Sequence, residues 1–272
     1  MPFTNNAIDG SRVYFEDSGG EGSPVVVLGG FLDPIDLVRR TPLARAFEAM
    51  PVAFRLIYVD HRGHGRSDKP HNPAAYAMPT RVADVVAVLD AAGIGAAHLV
   101  GLSWGGRLAL GIQARAPDRV RSLVIVGQQP YAMDPEGPLA RVLADTLGAP
   151  GEPTIEPLIV AFESIAGRYP DDVRAMYLAC DAAAMRAAWT AAMAEGPVST
   201  RLQEWDVPCL FCMAAGDADF LDPARRAVSE IPGADLVVVD DTDHLGMDTA
   251  DAGPMWPAVL ATLRRPSRLT PR

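Results

Sequence analysis

Short apolar runs alternate along this chain with segments in which apolar residues recur every three or four positions. The runs are typical of strands buried on both faces, and the spaced pattern is typical of helices with one buried face. Their alternation predicts βαβ units and a mainly parallel sheet. The strand pattern occurs in the segments 12–16, 25–28, 55–59, 98–102, 122–126, 208–213 and 236–239.

The helical pattern is interrupted by a longer stretch of different character. A helix is predicted to begin at Thr80, whose hydroxyl suits an N-cap, and to end near Gly93. From about residue 129 to residue 201 the chain shows several helices with Pro and Gly breaks and no clear strand. We therefore expect a core domain of residues 1–128 and 202–272, with a helical cap or lid of residues 129–201.

The composition favours one soluble domain. The chain has 272 residues, 49% hydrophobic and 21% charged, which is enough for one sizeable core. A net charge of −10 without a basic stripe argues against a nucleic-acid partner. The apolar runs are far shorter than a membrane span, and the first residues lack a signal-peptide pattern, so we expect a cytoplasmic protein without a membrane partner. The single lysine, Lys69, among many arginines indicates a GC-rich bacterial source.

Three cysteines, Cys180, Cys209 and Cys212, fit a reducing compartment. The last two have the spacing of a redox motif but lie in a predicted strand, where a separation of three residues puts side chains on opposite faces. We expect two buried thiols instead of a redox pair. The His and Cys positions offer no ligand cluster, so neither a metal nor an organic cofactor is expected.

The run Gly101-Leu102-Ser103-Trp104-Gly105 joins a predicted strand to a predicted helix. A nucleophilic serine above a sheet occupies a sharp, strained turn, where the residues two before and two after must lack a Cβ. Gly101 and Gly105 meet this requirement, and Gly106 lets the helix pack closely beneath. The pattern predicts Ser103 as a nucleophile, with a glycine-rich turn carrying an idle serine as the alternative.

A serine hydroxyl needs a base to remove its proton. His244 follows the last predicted strand, in a loop that opens at the same sheet edge as the Ser103 turn. His244 is therefore the predicted base, whereas His98 begins a core strand and is expected to be structural. The remaining histidines lie in one loop after the 55–59 strand: His61, His64 and His71.

The imidazole also needs a carboxylate that fixes its tautomer. Asp219 follows the 208–213 strand and precedes His244, which gives the order Ser, acid, His along the chain. Asp217 lies in the same loop and is the main competitor. Asp241 and Asp243 are alternatives that fit solvated loop charges.

Together these residues resemble the α/β-hydrolase superfamily over nearly the whole chain. The segment 60–67 resembles the family's D-x-R-G-x-G-x-S loop, and Gly216-Asp217-Ala218-Asp219 is similar to its G-x-x-D acid loop. The resemblance implies an eight-stranded, mostly parallel sheet flanked by helices, with a small helical cap inserted after the sixth strand. It also implies that Asp219 is the acid. The 60–67 loop is expected to be scaffold, with His64 facing the pocket as the less favoured alternative.

The family's oxyanion hole usually follows an H-G dipeptide after the strand that here is 25–28. This chain has Gly29 where the family has the histidine. By position, the N–H groups of Phe31 and Trp104 are the expected oxyanion donors, each worth about 3 kcal/mol of transition-state stabilisation. The residues expected to line the substrate pocket are Gly30, Leu32, Met133, Leu158, Phe162, Trp189 and Leu245.

The implied reaction is two-step acyl transfer from a small or medium apolar acyl or aryl ester. One alternative is a lactonase, including acyl-homoserine lactones, and another is a cofactor-free haloperoxidase (perhydrolase) or C–C hydrolase. A ligand receptor that uses the hydrolase fold is a third. Dehalogenase and epoxide hydrolase chemistry is disfavoured, because those relatives place Asp where this chain has Ser103. The expected partner is a small-molecule ester or lactone, and the expected state is a monomer or homodimer.

Overall fold

A computed structural model describes residues 2–50, 53–248, 251 and 253–266. These residues form one sheet with helices on both faces. The strands are β1 (Phe3–Asn5), β2 (Arg12–Asp17), β3 (Ser23–Leu28), β4 (Phe54–Val59), β5 (Ala97–Leu102), β6 (Val120–Val126), β7 (Cys209–Ala214) and β8 (Asp235–Val239).

The helices lie between these strands and after the last one. They are α1 (Ile35–Val38), α2 (Pro42–Glu48), α3 (Met78–Ala91), α4 (Trp104–Arg115), α5 (Pro138–Thr146), α6 (Glu156–Ala166), α7 (Asp171–Leu178), α8 (Ala182–Met193), α9 (Leu221–Glu230) and α10 (Trp256–Arg264). Short 3-10 turns occur at Pro73–Tyr76, Pro117–Arg119, Leu202–Glu204 and Leu245–Asp248. Within the described ranges, none of the helices has the length and apolar character needed to span a membrane.

The sheet is mostly parallel. Its strand order is β1-β2-β4-β3-β5-β6-β7-β8, and β2 runs antiparallel to both β1 and β4. The strands from β3 to β8 are parallel to their neighbours. The predicted eight-stranded, mostly parallel sheet is therefore confirmed. Because parallel strands end at the same edge, the loops after β3, β5, β7 and β8 open onto one side of the molecule.

The sheet separates two layers of buried apolar side chains. On one face Leu99 and Cys209 pack with α3, α4 and α9. On the other face Val100 and Cys212 pack with α2 and α10. The two thiols thus lie on opposite faces, as their spacing predicts, and both are free cysteines. Burial raises the pKa of both, that of Cys212 to about 12, which suits core packing and not redox chemistry.

Helix α3 begins three residues earlier than the sequence pattern predicts, since its N-cap is Ala77 and not Thr80. Its first residue is Met78, Pro79 lies in its first turn, and Thr80 is inside the helix. Proline suits this position because an N–H there would have no intrahelical partner. The prediction of Thr80 as the N-cap is therefore wrong. The predicted end is close, since α3 ends at Ala91 and Gly93 has a positive φ of 69°.

Helices α5 to α8 lie between β6 and β7 in the chain, and their apolar side chains pack with Leu32 and Trp104, which follow β3 and β5. Their buried side chains, among them Leu143, Met185 and Trp189, form a third apolar cluster that includes Trp104 from α4. These helices occupy the stretch predicted as a cap. The boundaries of that cap at residues 129–201 stay a prediction.

Candidate active site

Ser103 occupies the tight turn between β5 and α4. Its φ of 43° and ψ of −108° are rarely adopted by a residue with a side chain. A Cβ on Gly101 would lie 2.5 Å from the carbonyl oxygen of Gly105, and a Cβ on Gly105 would overlap the carbonyl of Leu28. The close approach of backbone on both sides therefore requires glycine at both positions, and the serine side chain is presented at the sheet edge.

The structure brings His244 to this serine. The Oγ of Ser103 is 2.9 Å from Nε2 of His244, which lies in the loop after β8. The ring of Phe220 stacks on the imidazole at a centroid distance of 4.7 Å, and the His244 side chain is 13% exposed. The predicted nucleophile and the predicted base are thus within hydrogen-bond distance, in a site that is largely shielded from water.

Asp217 is the carboxylate that meets the imidazole. Its Oδ2 is 2.8 Å from Nδ1 of His244, and its side chain is 2% exposed. Since a carboxylate accepts the Nδ1 proton, Nε2 is left free to accept the proton of Ser103. The prediction that Asp219 contacts His244 is wrong, and the competitor in the same loop occupies that position.

Asp219 faces the helical segment instead. Its Oδ2 accepts a hydrogen bond of 2.9 Å from the N–H of Leu139, in the first turn of α5. The first N–H groups of a helix have no intrahelical partner, so this carboxylate satisfies one of them. Asp219 therefore links the loop after β7 to α5 and does not reach the imidazole.

The two predicted oxyanion donors flank the serine. Phe31 follows β3, Trp104 is the first residue of α4, and their rings meet edge to face at 5.3 Å. In the described part of the chain, no hydrogen bond uses the N–H of either residue. The N–H of Trp104 also lies at the positive end of the α4 dipole, which favours negative charge. Neither N–H therefore has a partner in the described part of the chain, and their role as oxyanion donors stays a prediction.

Two small cavities meet at Ser103. The first, here called the Trp189 cavity, has a volume of about 30 Å³ and apolar walls that include Met133, Trp189 and Phe220. The second, here called the tyrosine cavity, has a volume of about 50 Å³ and includes Tyr177. Residues that line both are Phe31, Ser103, Leu139 and Leu143. The serine therefore stands at the boundary of two compartments whose walls are mostly, but not entirely, apolar.

Five of the seven predicted pocket residues line one or the other of these cavities. Met133 and Trp189 line the Trp189 cavity, and the tyrosine cavity has Gly30, Phe162 and Leu245 in its wall. Leu32 and Leu158 line neither cavity, because both are fully buried in the apolar cluster of the helical segment. Sequence reasoning missed two polar groups, since Arg107 and Gln128 also line the Trp189 cavity.

A buried charged cluster joins the core to the end of α8. Glu195 accepts hydrogen bonds from Arg81 at 2.7 Å and from Arg107 at 3.4 Å. Both arginine side chains are at most 2% exposed, and burial lowers the pKa of each. The Arg81 guanidinium also lies 4.6 Å from the centre of the Trp104 ring. Two cations thus share one carboxylate close to the serine turn.

A family model described as "alpha/beta hydrolase fold" matches residues 23–216, which is more than half of the chain. The chain belongs to the alpha/beta hydrolase fold family. The match confirms the resemblance inferred from the nucleophile turn and the 60–67 loop. No group of three or more His, Cys, Asp or Glu side chains in the described ranges is placed to hold a metal ion.

Relatives of this alpha/beta hydrolase carry several hydrolytic names. A putative carbamate hydrolase of Azorhizobium caulinodans is 32% identical over 126 residues, which cover 46% of this chain and 44% of the relative. The chain thus spans less than half the length of this curated relative. The solved enol-lactonase of Burkholderia xenovorans has a TM-score of 0.79 at 21% identity, covering 97% of this chain and 100% of its own. An esterase of Exiguobacterium antarcticum has the same TM-score and coverage at 22% identity. At such identities the likeness shows the fold alone.

The acid loop of this alpha/beta hydrolase departs from the family's G-x-x-D register. β7 ends at Ala214, and the N–H of Gly216 donates a hydrogen bond of 3.0 Å to the carbonyl of Thr242 in the His244 loop. This bond pins the chain beside that loop, so the next residue, Asp217, faces the imidazole. Two residues later the chain has turned toward α5.

The 60–67 loop has the scaffold role that the sequence favours. One carboxylate oxygen of Asp60 accepts the N–H of Ile35 and the other accepts the N–H of Arg66, both at 2.8 Å. Asp60 therefore ties the loop after β4 to the start of α1. His64 is 1% exposed and lines neither cavity.

Proposed function

We propose that this chain is a serine hydrolase that cleaves small carboxylic esters through an acyl-enzyme. The observation that carries the proposal is the continuous arrangement of Ser103 Oγ, His244 Nε2 and Nδ1, and Asp217 Oδ2, with separations of 2.9 and 2.8 Å. Ser103 lies in a strained turn that presents its hydroxyl at the junction of two cavities. Nucleophile, base and orienting carboxylate in this order are the arrangement needed to activate a serine.

In the proposed mechanism, Nε2 of His244 takes the proton as Oγ of Ser103 attacks the ester carbonyl. The oxygen of the tetrahedral intermediate accepts the N–H groups of Phe31 and Trp104. His244 then protonates the leaving alcohol, and the acyl group stays on the serine. A water molecule, deprotonated by His244, attacks the acyl-enzyme, and the acid leaves as His244 returns that proton to Oγ of Ser103. Asp217 holds the Nδ1 proton throughout and stabilises the cationic imidazole.

The positions of the cavities suggest where each half of the ester binds. His244 lines the tyrosine cavity and delivers its proton to the leaving alcohol, so we assign the alcohol to that cavity. The acyl group then occupies the Trp189 cavity of about 30 Å³. Because this space is small, it suits a short acyl chain. The helices over the serine, proposed as the cap, set that limit.

A lactonase is the second candidate, because the two cavities share Phe31, Leu139 and Leu143 across the serine. A ring that carries both halves of an ester can span such a boundary. The enol-lactonase and the esterase named above show that this fold serves both substrate types in other proteins. The substrate panel therefore has to contain open esters and cyclic ones.

The test is the turnover of p-nitrophenyl esters from acetate to dodecanoate beside a panel of lactones, for wild type and Ser103→Ala. The substitution should lower kcat by about 10⁴- to 10⁶-fold. Ser229→Ala, on the exposed face of α9, is the matched control and should leave kcat unchanged. An active Ser103→Ala protein would refute the proposal. Fast lactone turnover with slow ester turnover would favour the lactonase, and tight ligand binding without turnover would favour a receptor.

A further inference from the structure

The loop from Gly29 to Asp33 carries one of the proposed oxyanion donors and has no room for the family's histidine. A Cβ on Gly29 would overlap the side chain of Val38 and would lie 3.1 Å from the carbonyl oxygen of Asp33. A larger side chain at this position is therefore excluded by the packing of α1. The polar support of the loop has to come from other residues.

Three polar side chains supply that support. Oδ2 of Asp33 accepts the N–H of Gly30 at 3.0 Å, and Nε2 of His61 lies 3.0 Å from the carbonyl oxygen of Gly29. Nε2 of His64 lies 3.3 Å from the backbone nitrogen of Leu32. The two histidines come from the 60–67 loop after β4, so this scaffold loop holds the neighbouring loop at both of its ends.

The partners of His64 define its tautomer. Its Nδ1 is 3.1 Å from the carbonyl oxygen of Arg62, which can only accept a hydrogen bond, so the ring proton is on Nδ1. The N–H of Leu32 can only donate, so Nε2 has to be unprotonated. Both contacts are satisfied by the same neutral tautomer. His61 has the opposite tautomer, because its Nε2 faces a carbonyl and therefore carries the proton.

The surroundings keep both rings neutral. His61 and His64 are buried, and burial lowers their pKa values to about 3 and about 4. The positive charges of Lys69 and Arg81 disfavour a proton on His64 further. A protonated ring would have to present an N–H to the N–H of Leu32, so the neutral state is required for the contact.

His64 contacts Leu32, the residue that directly follows the proposed oxyanion donor Phe31. Leu32 has a positive φ of 73°, which a leucine adopts only when its neighbours hold it there. The peptide plane that joins Phe31 to Leu32 contains the N–H that His64 accepts. The ring of Phe31 also meets the ring of His64, at a centroid distance of 6.3 Å.

We propose that His64 is a positioning residue of the oxyanion hole. By accepting the Leu32 N–H, it holds the left-handed conformation of Leu32 and so keeps the N–H of Phe31 directed at the carbonyl oxygen of an ester bound to Ser103. The inference rests on the proposed ester hydrolysis and deepens it. His61 and Asp33 fix the residues on the other side of the same donor.

The test compares His64→Phe, which keeps a ring but removes the acceptor, with His64→Gln, whose amide oxygen can accept the same N–H. The readouts are kcat and KM for p-nitrophenyl acetate and the inhibition constant of a short alkyl boronic acid, which forms a tetrahedral adduct on serine. His98→Phe is the matched control. His98 is also buried, bridges Ser23 and Ser122, and lies at the opposite end of β5 from Ser103.

We expect His64→Phe to lower kcat by about 10- to 100-fold, which is less than the effect of removing an oxyanion donor altogether. KM should stay within about twofold of the wild-type value. The boronic acid should bind more weakly by a similar factor, and His64→Gln should recover most of both losses. His98→Phe should lower the melting temperature without changing kcat. Wild-type kcat in His64→Phe, or equal losses in the Phe and Gln variants, would overturn the proposal.

Nitrogen NMR of the histidine rings tests the contact in the wild-type protein, whether or not the variants fold. We expect His64 to be protonated at Nδ1 and His61 at Nε2 at neutral pH. A proton on Nε2 of His64 would overturn the proposal on its own. If the wild type neither hydrolyses esters nor binds the boronic acid, the proposed function fails, and the NMR result still shows whether the Leu32 contact exists.

Discussion

The loops after the strands, here called the sheet side of the candidate active site, and the helices α5 to α8, here called its helical side, are held in different ways. On the sheet side, backbone hydrogen bonds fix the two loops that carry Ser103 and Asp217. The N–H of Ser103 donates to the carbonyl of Val126 at 2.7 Å, and the N–H of Gly216 donates to that of Thr242 at 3.0 Å. These bonds extend the hydrogen-bond pattern of the sheet beyond the ends of the strands. The strands therefore restrict the movement of the proposed catalytic groups.

On the helical side, side chains make the main connections to the core. Glu195 meets two arginines of α3 and α4, Asp219 caps α5, and α8 packs on the turn Pro73–Tyr76. Side-chain contacts can be exchanged without moving a strand. The comparison therefore indicates that substitutions on the sheet side change the rate for every ester, whereas those on the helical side change the preference among esters.

The sharpest prediction concerns the two aspartates, because they lie in the same loop after β7 but Asp217 contacts His244 and Asp219 contacts α5. Asp217→Asn should lower kcat by about 10⁴-fold for all esters, since the amide favours the wrong imidazole tautomer. Asp219→Asn keeps an acceptor for the N–H of Leu139 and should change kcat by less than about threefold. Steady-state kinetics on p-nitrophenyl acetate separate the two.

Each aspartate variant is the other's control, since the change is the same and the positions are two residues apart. The outcome that would contradict the structure is a larger loss of kcat in Asp219→Asn than in Asp217→Asn. Equal and large losses would show that capping of α5 is as important for the reaction as the carboxylate beside His244, and the division between the two sides would be lost.

The same division explains which features could be predicted from the sequence. Glycine at 101 and 105 is a local steric requirement, and the position of His244 after the last strand follows from the parallel sheet, so both could be inferred from the chain. The choice between Asp217 and Asp219 depends on a hydrogen bond between two loops that are distant in sequence, and no local pattern records it.

The helical side was harder to predict for a related reason. Leu158 of α6 is apolar, as the wall of a pocket should be, but so is the cluster in which it is buried. Which apolar side chain faces a cavity depends on how the helices rotate against one another. The sequence pattern gives the helices themselves and leaves that rotation open.

The second prediction concerns Glu195, which connects the end of α8 to α3 and α4. Glu195→Gln removes the only carboxylate that Arg81 and Arg107 contact in the described structure, and leaves two buried cations close together. We expect the free energy of unfolding to fall by about 3–5 kcal/mol, as is typical when one member of a buried ion pair is removed. Urea denaturation measures this loss.

Its control is Glu156→Gln, which removes an exposed carboxylate paired with Arg174 on the surface of α6 and α7. That change should cost less than about 1 kcal/mol, because solvent-exposed pairs contribute little. Similar stabilities for the two variants would mean that the buried cluster is not what joins α8 to the core.

The third and smallest effect tests the proposal that the Trp189 cavity holds the acyl group. Trp189→Ala enlarges a cavity of about 30 Å³. We therefore expect the ratio of kcat/KM for the hexanoate ester to kcat/KM for the acetate ester to rise by about 10- to 100-fold, an effect of the size that methylene groups produce in an apolar pocket. Tyr177→Ala enlarges the tyrosine cavity instead and should leave this ratio unchanged while it alters the preference for the alcohol. If Tyr177→Ala shifts the acyl preference and Trp189→Ala shifts the alcohol preference, the two halves of the ester bind the other way round, and His244 has to reach the leaving oxygen across the serine.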